Sequence, residues 1–127
     1  MARTRATSRL VEAVAATTRT TAVGPPVEMK FKNVNRIGGS DVAFDLEVRA
    51  GDSTDLAIVN PFMPDNPIFE HDILASATCQ VRAVRVSTLR PMFVFTGNAG
   101  ITASVQVDLG SGRPRVMGEP VGNVYVR

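Results

Sequence analysis

The stretch from Asp41 to Arg49, Asp-Val-Ala-Phe-Asp-Leu-Glu-Val-Arg, decides the fold class. Large apolar side chains occupy every second position, and most of the intervening positions are charged. The apolar set is Val42, Phe44, Leu46 and Val48, and the charged set is Asp41, Asp45, Glu47 and Arg49. A period of two residues is that of a β-strand with one buried face and one face in water. Such a strand needs neighbouring strands and an apolar layer against which to pack.

The rest of the chain provides those neighbours. Residues 27–34 alternate in the same way, and a glycine-containing connection separates them from residues 42–48, which predicts an antiparallel hairpin. Further strands are predicted at residues 56–59, 77–89, 92–95, 101–109, 113–117 and 121–126. No β-α-β alternation is visible. The sequence therefore predicts an all-β fold, an antiparallel β-sandwich or barrel of about seven to nine short strands, for which a jelly-roll-like arrangement is one option.

Two details of these strands are predicted from the side-chain pattern. In residues 77–89, Cys79, Val81 and Ala83 share one parity and Val84 has the other, which predicts a β-bulge near Ala83. Cys79, the only cysteine, is predicted to be a small buried side chain. The inward face of residues 101–109 is predicted to start at Ile101, and residues 118–120 are predicted to form a turn between the last two strands.

Residues 1–26 form a segment of distinct composition, made almost entirely of Ala, Thr, Arg and Val. Four arginines oppose one glutamate there, a net charge of +3, whereas the remaining 10 of 14 basic and 11 of 12 acidic residues give residues 27–127 a net −1. Pro25 and Pro26 mark the boundary, because consecutive prolines impose an extended path. The sequence therefore predicts an N-terminal arm, residues 1–26, which is extended or partly helical, and a β-sandwich or barrel body, residues 27–127.

The arm is predicted to bind a partner, because its apolar side chains are too few to fold alone. The predicted contact residues are Arg3, Arg5, Arg9, Leu10, Val11, Val14 and Arg19. Two kinds of partner fit this composition. The apolar side chains suit a groove on a neighbouring protein subunit, and the arginines suit nucleic-acid phosphates, whose contacts weaken as salt is added.

A proline-rich loop is the second candidate contact surface. Residues 60–67 contain three prolines, which excludes a central strand and predicts a loop across one end of the body. Four large apolar residues lie in or beside this loop: Phe62, Met63, Ile68 and Phe69. Full exposure of all four favours aggregation, so the loop either folds over the rim of the core or contacts another chain.

A set of arginines in the body gives an alternative function. Arg82, Arg85, Arg90, Arg113 and Arg115 are predicted to form a second basic surface. Together with the arm, this surface would make the protein a nucleic-acid-binding β-barrel module. The chain has no tryptophan and one tyrosine, which leaves few aromatic side chains on which bases could stack.

The polar clusters of the sequence lack the spacing of catalytic or ligand sites. His71 lies between Glu70 and Asp72, but no second His or Cys pair completes a metal shell, so residues 70–72 are predicted to be a solvated loop. Residues 52–55 lack the length of a calcium loop, and the glycine-rich turns lack the Lys-Ser/Thr of a phosphate loop. We therefore predict no catalytic residues, no metal, no cofactor and no small-molecule substrate, hence a protein that is not an enzyme. No apolar run approaches the ~20 residues of a membrane helix, so no membrane partner is predicted.

The order of segments resembles that of small virion proteins. An arm rich in Arg, Ala, Thr and Ser (Met1 to Thr21), a hinge at Pro25 and Pro26 and a small tryptophan-free β body are similar to viral coat proteins of the jelly-roll kind and to phage capsid decoration or head-tail proteins. The resemblance implies a structural subunit of a symmetric assembly, with copies of itself or a larger capsid-type lattice as partners. It implies location in a virion; a non-viral protein of this kind would be cytoplasmic.

Two departures from that pattern refine the expectation. The chain is shorter than a complete eight-stranded jelly-roll shell protein usually is, and its arm is less basic than most arms that package RNA. Both differences favour an auxiliary capsid-associated subunit over a coat that encloses the genome.

Overall fold

A computed structural model describes residues 24–127, and the predictions for the arm before Gly24 lie outside those residues. The described part contains nine strands: β1 Val27–Gly38, β2 Asp41–Ala50, β3 Thr54–Val59, β4 Phe69–Ile73, β5 Thr78–Val86, β6 Met92–Gly97, β7 Gly100–Asp108, β8 Arg115–Val121 and β9 Val124–Val126. Within residues 24–127 there is no helix with the length and hydrophobicity needed to cross a membrane.

The strands form two sheets that enclose one core. One sheet has the order β5-β2-β1-β9, and the other has the order β4-β3-β6-β7-β8. Neighbouring strands are antiparallel, except for β1 and β9, which are parallel. The predicted all-β sandwich is confirmed, and so is the hairpin of β1 and β2, which closes where Gly38 pairs with Asp41.

The core lies where the inward faces of the two sheets meet. The four apolar residues of β2 that were predicted to face inward are each at most 1% exposed. Next to them, the ring centroid of Phe31 lies 5.4 Å from that of Phe44 and 5.5 Å from that of Phe93. Phe31 and Phe44 belong to one sheet and Phe93 to the other, so this aromatic cluster joins the sheets. Each such pair contributes about 0.5–1.5 kcal/mol beyond the area that it buries.

The predicted bulge lies in β5. Arg82 and Ala83 of this strand both oppose a single residue of β2, Asp45. Ala83 has a left-handed backbone conformation, with φ 56°, and its side chain is exposed, not inward. The bulge shifts the alternation of inward and outward side chains by one residue after Ala83. Val81 and Val84 are therefore both buried.

Asp45 fastens this bulge and another one. Its Oδ1 accepts a hydrogen bond from the backbone N–H of Ala83, and its Oδ2 accepts one from the side-chain amide of Asn33, both at 2.8 Å. The Ala83 hydrogen bond, followed by that of Asn33, lowers the pKa of Asp45 below its ordinary value. Asn33, with φ 56°, lies in a bulge of β1. The Asp45 carboxylate therefore hydrogen-bonds bulge residues in both strands that flank β2, namely β1 and β5.

β4 occupies residues that were predicted to be a solvated loop. Glu70, His71 and Asp72 belong to this strand, which pairs with β3 alone and forms the edge of its sheet. Edge strands are commonly short and polar. Ile73 is the one residue of β4 that is fully buried, so the sequence of this strand shows almost no alternation between apolar and polar residues.

β8 also differs from the prediction, because it continues through residues 118–120, where a turn was expected. Its pairing with β7 shifts register across these residues, and Gly118 has a φ of 67°. Pro120 has no backbone N–H to donate to a neighbouring strand. It is tolerated because it lies in a bulge of an edge strand, where no such hydrogen bond is needed. The turn lies at Gly122 instead, where φ is 80°.

Three smaller predictions are wrong as well. The strand predicted at residues 77–89 ends at Val86. Cys79 is only half-buried, because it lies near the start of an edge strand. Ile101 is 64% exposed, because the pairing of β6 with β7 shifts register beside it.

The two ends of the sandwich carry different connections. We call one the arm end: the chain enters there at Pro25, and the connections 51–53, 74–77, 98–99 and 122–123 lie there. We call the other the arginine end, which has the connections 39–40, 60–68, 87–91 and 109–114. Neighbouring strands are antiparallel except for β1 and β9, which are parallel, so the pairing registers fix this assignment.

Candidate interaction surfaces

The loop of residues 60–68 presents two apolar side chains to solvent at the arginine end. Phe62 is 92% exposed and Met63 is 55% exposed. Ile68 and Phe69 instead pack against the core and are partly buried. The loop thus divides the predicted set of four: two residues cover the rim of the core, and two are free to contact another molecule.

Hydrogen bonds at both ends of the loop hold it in shape. Asn60 accepts from the N–H of Phe62 through its Oδ1 at 3.0 Å and from the N–H of Met63 through its carbonyl at 2.8 Å. At the far end, the N–H of Ile68 donates to the carbonyl of Ile58 at 2.7 Å. With three prolines also restricting the backbone, little conformational entropy remains to be lost when a partner binds.

The predicted basic surface is only partly assembled. Arg85, Arg90, Arg113 and Arg115 all lie at the arginine end, whereas Arg82 lies in the middle of β5 and hydrogen-bonds Gln80 at 2.8 Å. Arg85 and Arg115 are on different sheets, since β5 and β8 are edge strands of opposite sheets.

Two of these arginines have acidic partners. Arg85 forms an ion pair with Asp41 at 3.2 Å, and Arg90 forms one with Asp108 at 3.4 Å. All four side chains are at least a quarter exposed, so each pair contributes little to stability. The arginine end carries no net charge: with two strand residues included on each side of a connection, four arginines oppose four carboxylates.

A cavity of about 450 Å³ opens at the arm end. It was not predicted from the sequence. Its walls are mostly small or apolar residues, among them Pro25, Val27, Ala50, Gly51, Ala75 and Ala99. The volume lies within the ~300–1,000 Å³ typical of binding pockets.

One polar group in the wall of this cavity is unpaired. Thr54 is 7% exposed, and its hydroxyl has no hydrogen-bond partner among the residues that the structure describes. A buried hydroxyl without a partner costs about 1–3 kcal/mol.

The entry of the chain is fixed next to the cavity. The N–H of Gly51 donates to the carbonyl of Pro26 at 2.9 Å, and a Cβ on Gly51 would lie 2.9 Å from Cβ of Pro25. The hinge therefore packs directly against the connection between β2 and β3. Whatever the arm contacts, it starts from this end of the body.

The arm end is acidic. With two strand residues on each side of its connections and the first two residues of β1 included, one arginine opposes four carboxylates there, a net −3. Two of the carboxylates, Asp55 and Asp72, are directly paired across β3 and β4. The hydrogen bond and the repulsion between them, with a smaller effect from Glu70, raise the pKa of Asp55 above its ordinary 3.8.

Replacing Asp72 with asparagine is expected to stabilise the protein at neutral pH, because it removes this repulsion. In the native protein the raised pKa of Asp55 means that the folded state binds a proton more tightly than the unfolded state. Stability is therefore lost as pH rises from 3.8 through the raised pKa, and the loss is complete at neutral pH. Urea unfolding of Asp72→Asn should show a higher midpoint at pH 7 and a smaller gain at pH 4. Asp65→Asn, outside this pair, is the control; an equal gain there would contradict a repulsion specific to Asp55 and Asp72.

His71 and Cys79 lie together at one edge of the sandwich. Nδ1 of His71 is 3.8 Å from Sγ of Cys79 and 2.8 Å from the carbonyl oxygen of Asp72. The His71 ring also stacks on Phe69, with the centroids 6.2 Å apart. Within residues 24–127, no group of three or more His, Cys, Asp or Glu residues has the geometry to hold a metal ion. The His71 ring lies against Phe69, which itself packs on the core.

Comparison with protein-family models, with curated proteins and with solved structures found no match for this chain.

Proposed function

We propose that the protein is a structural subunit of a symmetric assembly, and that its N-terminal arm anchors it to neighbouring subunits. The role that fits best is a virus or phage capsid-associated protein, as a decoration, minor capsid or coat subunit within the virion. The partners are further copies of the chain or a larger capsid-type lattice.

The observation that carries this proposal is the exposure of Phe62 and Met63 on a restrained loop. Contiguous exposed apolar side chains mark interaction surfaces, and Phe62 and Met63 are adjacent on the loop. Here the loop keeps Phe62 92% exposed while its neighbours Ile68 and Phe69 cover the core. The hydrogen bonds that restrain the loop hold Phe62 and Met63 in an exposed position, ready to contact another chain without a rearrangement.

Light scattering tests the proposal. The full chain should have a mass that is a multiple of 13.6 kDa, and a chain that begins at Gly24 should keep its β circular dichroism but assemble more weakly. The concentration for half-assembly should rise about tenfold or more, since loss of about 1.4 kcal/mol is sufficient for that change. A full chain that stays monomeric at every concentration contradicts the proposal. Equal assembly of both chains contradicts the role of the arm.

A nucleic-acid-binding module is the second candidate, favoured by the four arginines at the arginine end. A mobility-shift measurement with single-stranded DNA and RNA tests it. Binding that weakens steeply with salt supports this function, and no binding at low salt eliminates it.

A further inference from the structure

The described part of the sandwich has four edge strands, and three of them have features that oppose pairing with another strand. β5 has the bulge at Ala83, and β8 has a register shift with Gly118 at a φ of 67° and Pro120. β4 has five residues, of which three are ionisable. Bulges, prolines and charges are the usual means of blocking strand addition. β9 has neither a register shift, a proline nor a charged residue.

The backbone of β9 is hydrogen-bonded on one side. Asn123 and Arg127, which flank the strand, exchange hydrogen bonds with β1, two of them at 2.8 Å. Because successive peptide groups of a strand point in opposite directions, the backbone groups of Val124 and Val126 point away from β1. Within residues 24–127 no strand pairs with β9 on that side.

A groove of about 740 Å³ follows this free edge. It extends from Pro26, beside the hinge, along β9 to Arg127. Tyr125 is 56% exposed there, whereas Val124 and Val126 are half-buried and pack against the core. The groove thus combines backbone donors and acceptors with an apolar surface that is only partly covered.

We propose that residues 17–23 of one copy, Thr-Thr-Arg-Thr-Thr-Ala-Val, add as a strand to the free edge of β9 in a second copy. This inference rests on the proposed function, because it names the place where the arm binds. The added strand continues the sheet β5-β2-β1-β9 across the boundary between subunits.

The sequence of this arm segment suits a strand. Five of its seven residues are the β-branched Thr and Val, and it contains neither Gly nor Pro. In a strand, Thr18, Thr20 and Ala22 share one face, and all three are short and uncharged. Such side chains can lie beside the half-buried valines of β9 without burying a charge.

The opposite face of the segment carries Arg19. That face is continuous with the outer face of the sheet, where Tyr125 pairs with Glu28. An arginine in this position can lie over the exposed tyrosine ring and close to the Glu28 carboxylate. Each face of the arm segment therefore has a matching face on β9.

The direction in which the chain leaves the body favours a second copy over the same one. The N–H of Gly51 donates to the carbonyl of Pro26, and Pro25 packs against Gly51. Gly51 follows β2, and β2 and β9 flank β1 on opposite sides. The chain therefore leaves on the side away from β9. The 23 residues before Gly24 can span up to about 75 Å when extended, whereas the 12 residues of β1 span about 40 Å.

Disulfide cross-linking between two full-length chains tests the contact. Both chains carry Cys79→Ser, which removes the only cysteine. One chain also carries Tyr125→Cys, and the other carries a cysteine at one position of the arm, with each position from Thr17 to Ala22 used in turn. After oxidation of equimolar mixtures, we expect a covalent heterodimer of about twice the 13.6 kDa chain mass.

The pattern of cross-linking reports the strand conformation. Tyr125 lies on the outer face, so cysteines at residues 17, 19 and 21 should link to it and those at residues 18, 20 and 22 should not. The matched control replaces Tyr125→Cys with Ser111→Cys, an exposed position at the arginine end, which should not link to any of them.

A pair of substitutions at one position tests the backbone hydrogen bonds. Val126→Pro removes an N–H that β1 does not use, and Val126→Ala shortens the side chain but keeps this N–H. By light scattering, the concentration for half-assembly should be about tenfold or more higher for Val126→Pro than for Val126→Ala. Urea unfolding of both variants shows how much stability each loses by itself.

Four results would overturn strand addition at β9. Assembly of the unaltered chain without a heterodimer at any arm position means that the arm binds elsewhere. Cross-linking without alternation means that the arm crosses the groove without pairing, and equal assembly of the two Val126 variants means the same. A chain that carries both Arg19→Cys and Tyr125→Cys, and that closes on itself as a monomer, means that each arm fills its own groove. A monomeric unaltered chain would instead refute the proposed function itself.

Discussion

Replacing Phe44 with alanine should lower the free energy of unfolding by about 3–5 kcal/mol, the range for removal of a buried aromatic side chain. Phe44 is 1% exposed and its ring centroid lies 5.4 Å from Phe31 and 6.1 Å from Phe93. The substitution removes two aromatic contacts and leaves a cavity between the sheets. Because typical domains are stable by only about 5–15 kcal/mol, this loss is a large fraction of the total stability.

Urea unfolding followed by circular dichroism measures this effect. The matched control is Phe62→Ala, because the same side chain is removed from a position that is 92% exposed. That control should change the free energy of unfolding by no more than about 0.5 kcal/mol. A loss below about 1.5 kcal/mol for Phe44→Ala, half the lower bound for a buried aromatic side chain, would mean that the aromatic cluster does not join the two sheets.

Replacing Gly122 with alanine should destabilise the protein by about 2–5 kcal/mol, because two costs act together. The first is conformational: Gly122 has a φ of 80°, which a residue with a Cβ adopts with strain. The second is steric: an added Cβ would clash with the carbonyl oxygen of Thr102 and lie 3.2 Å from Cα of Ala103. These are backbone atoms of β7, so a side-chain rotation cannot relieve the clash.

Gly118→Ala separates the two costs in the same thermal or urea measurement. Gly118 also has a positive φ, 67°, but an added Cβ would meet nothing within 4 Å. We expect a loss of about 1–2 kcal/mol there, from the backbone conformation alone. Equal losses for both variants would show that the turn does not lie against β7 as described.

The body of the fold could be predicted because the apolar alternation of β2 and β7 is strong. The same signal located the bulge in β5, since a bulge changes the parity of the buried residues on either side of Ala83. β4 could not be predicted in this way. It has one neighbour and one fully buried residue, so its strand conformation comes from pairing with β3 and not from its own pattern.

The candidate surfaces were predictable only as separate pieces. The composition of residues 60–67 indicated an apolar loop, but the division between Phe62, which is exposed, and Phe69, which packs on the core, depends on where β4 begins. The arm-end cavity is formed by residues from several connections that are far apart in the sequence. Which connections share an end of the sandwich depends on strand order, and no local pattern in the sequence contains that information.

The two hydrogen bonds of Asp45 have a consequence for how the strands find their alignment. Sliding β2 by two residues along either neighbour would keep its valines, leucine and phenylalanine pointing inward, so hydrophobicity alone does not distinguish the misaligned pairing from the correct one. Such a slide would pull the carboxylate away from the Ala83 amide and the Asn33 side chain. Asp45, a charged residue on the solvent-facing side of the sheet, thus favours one strand alignment among several that bury the same apolar side chains.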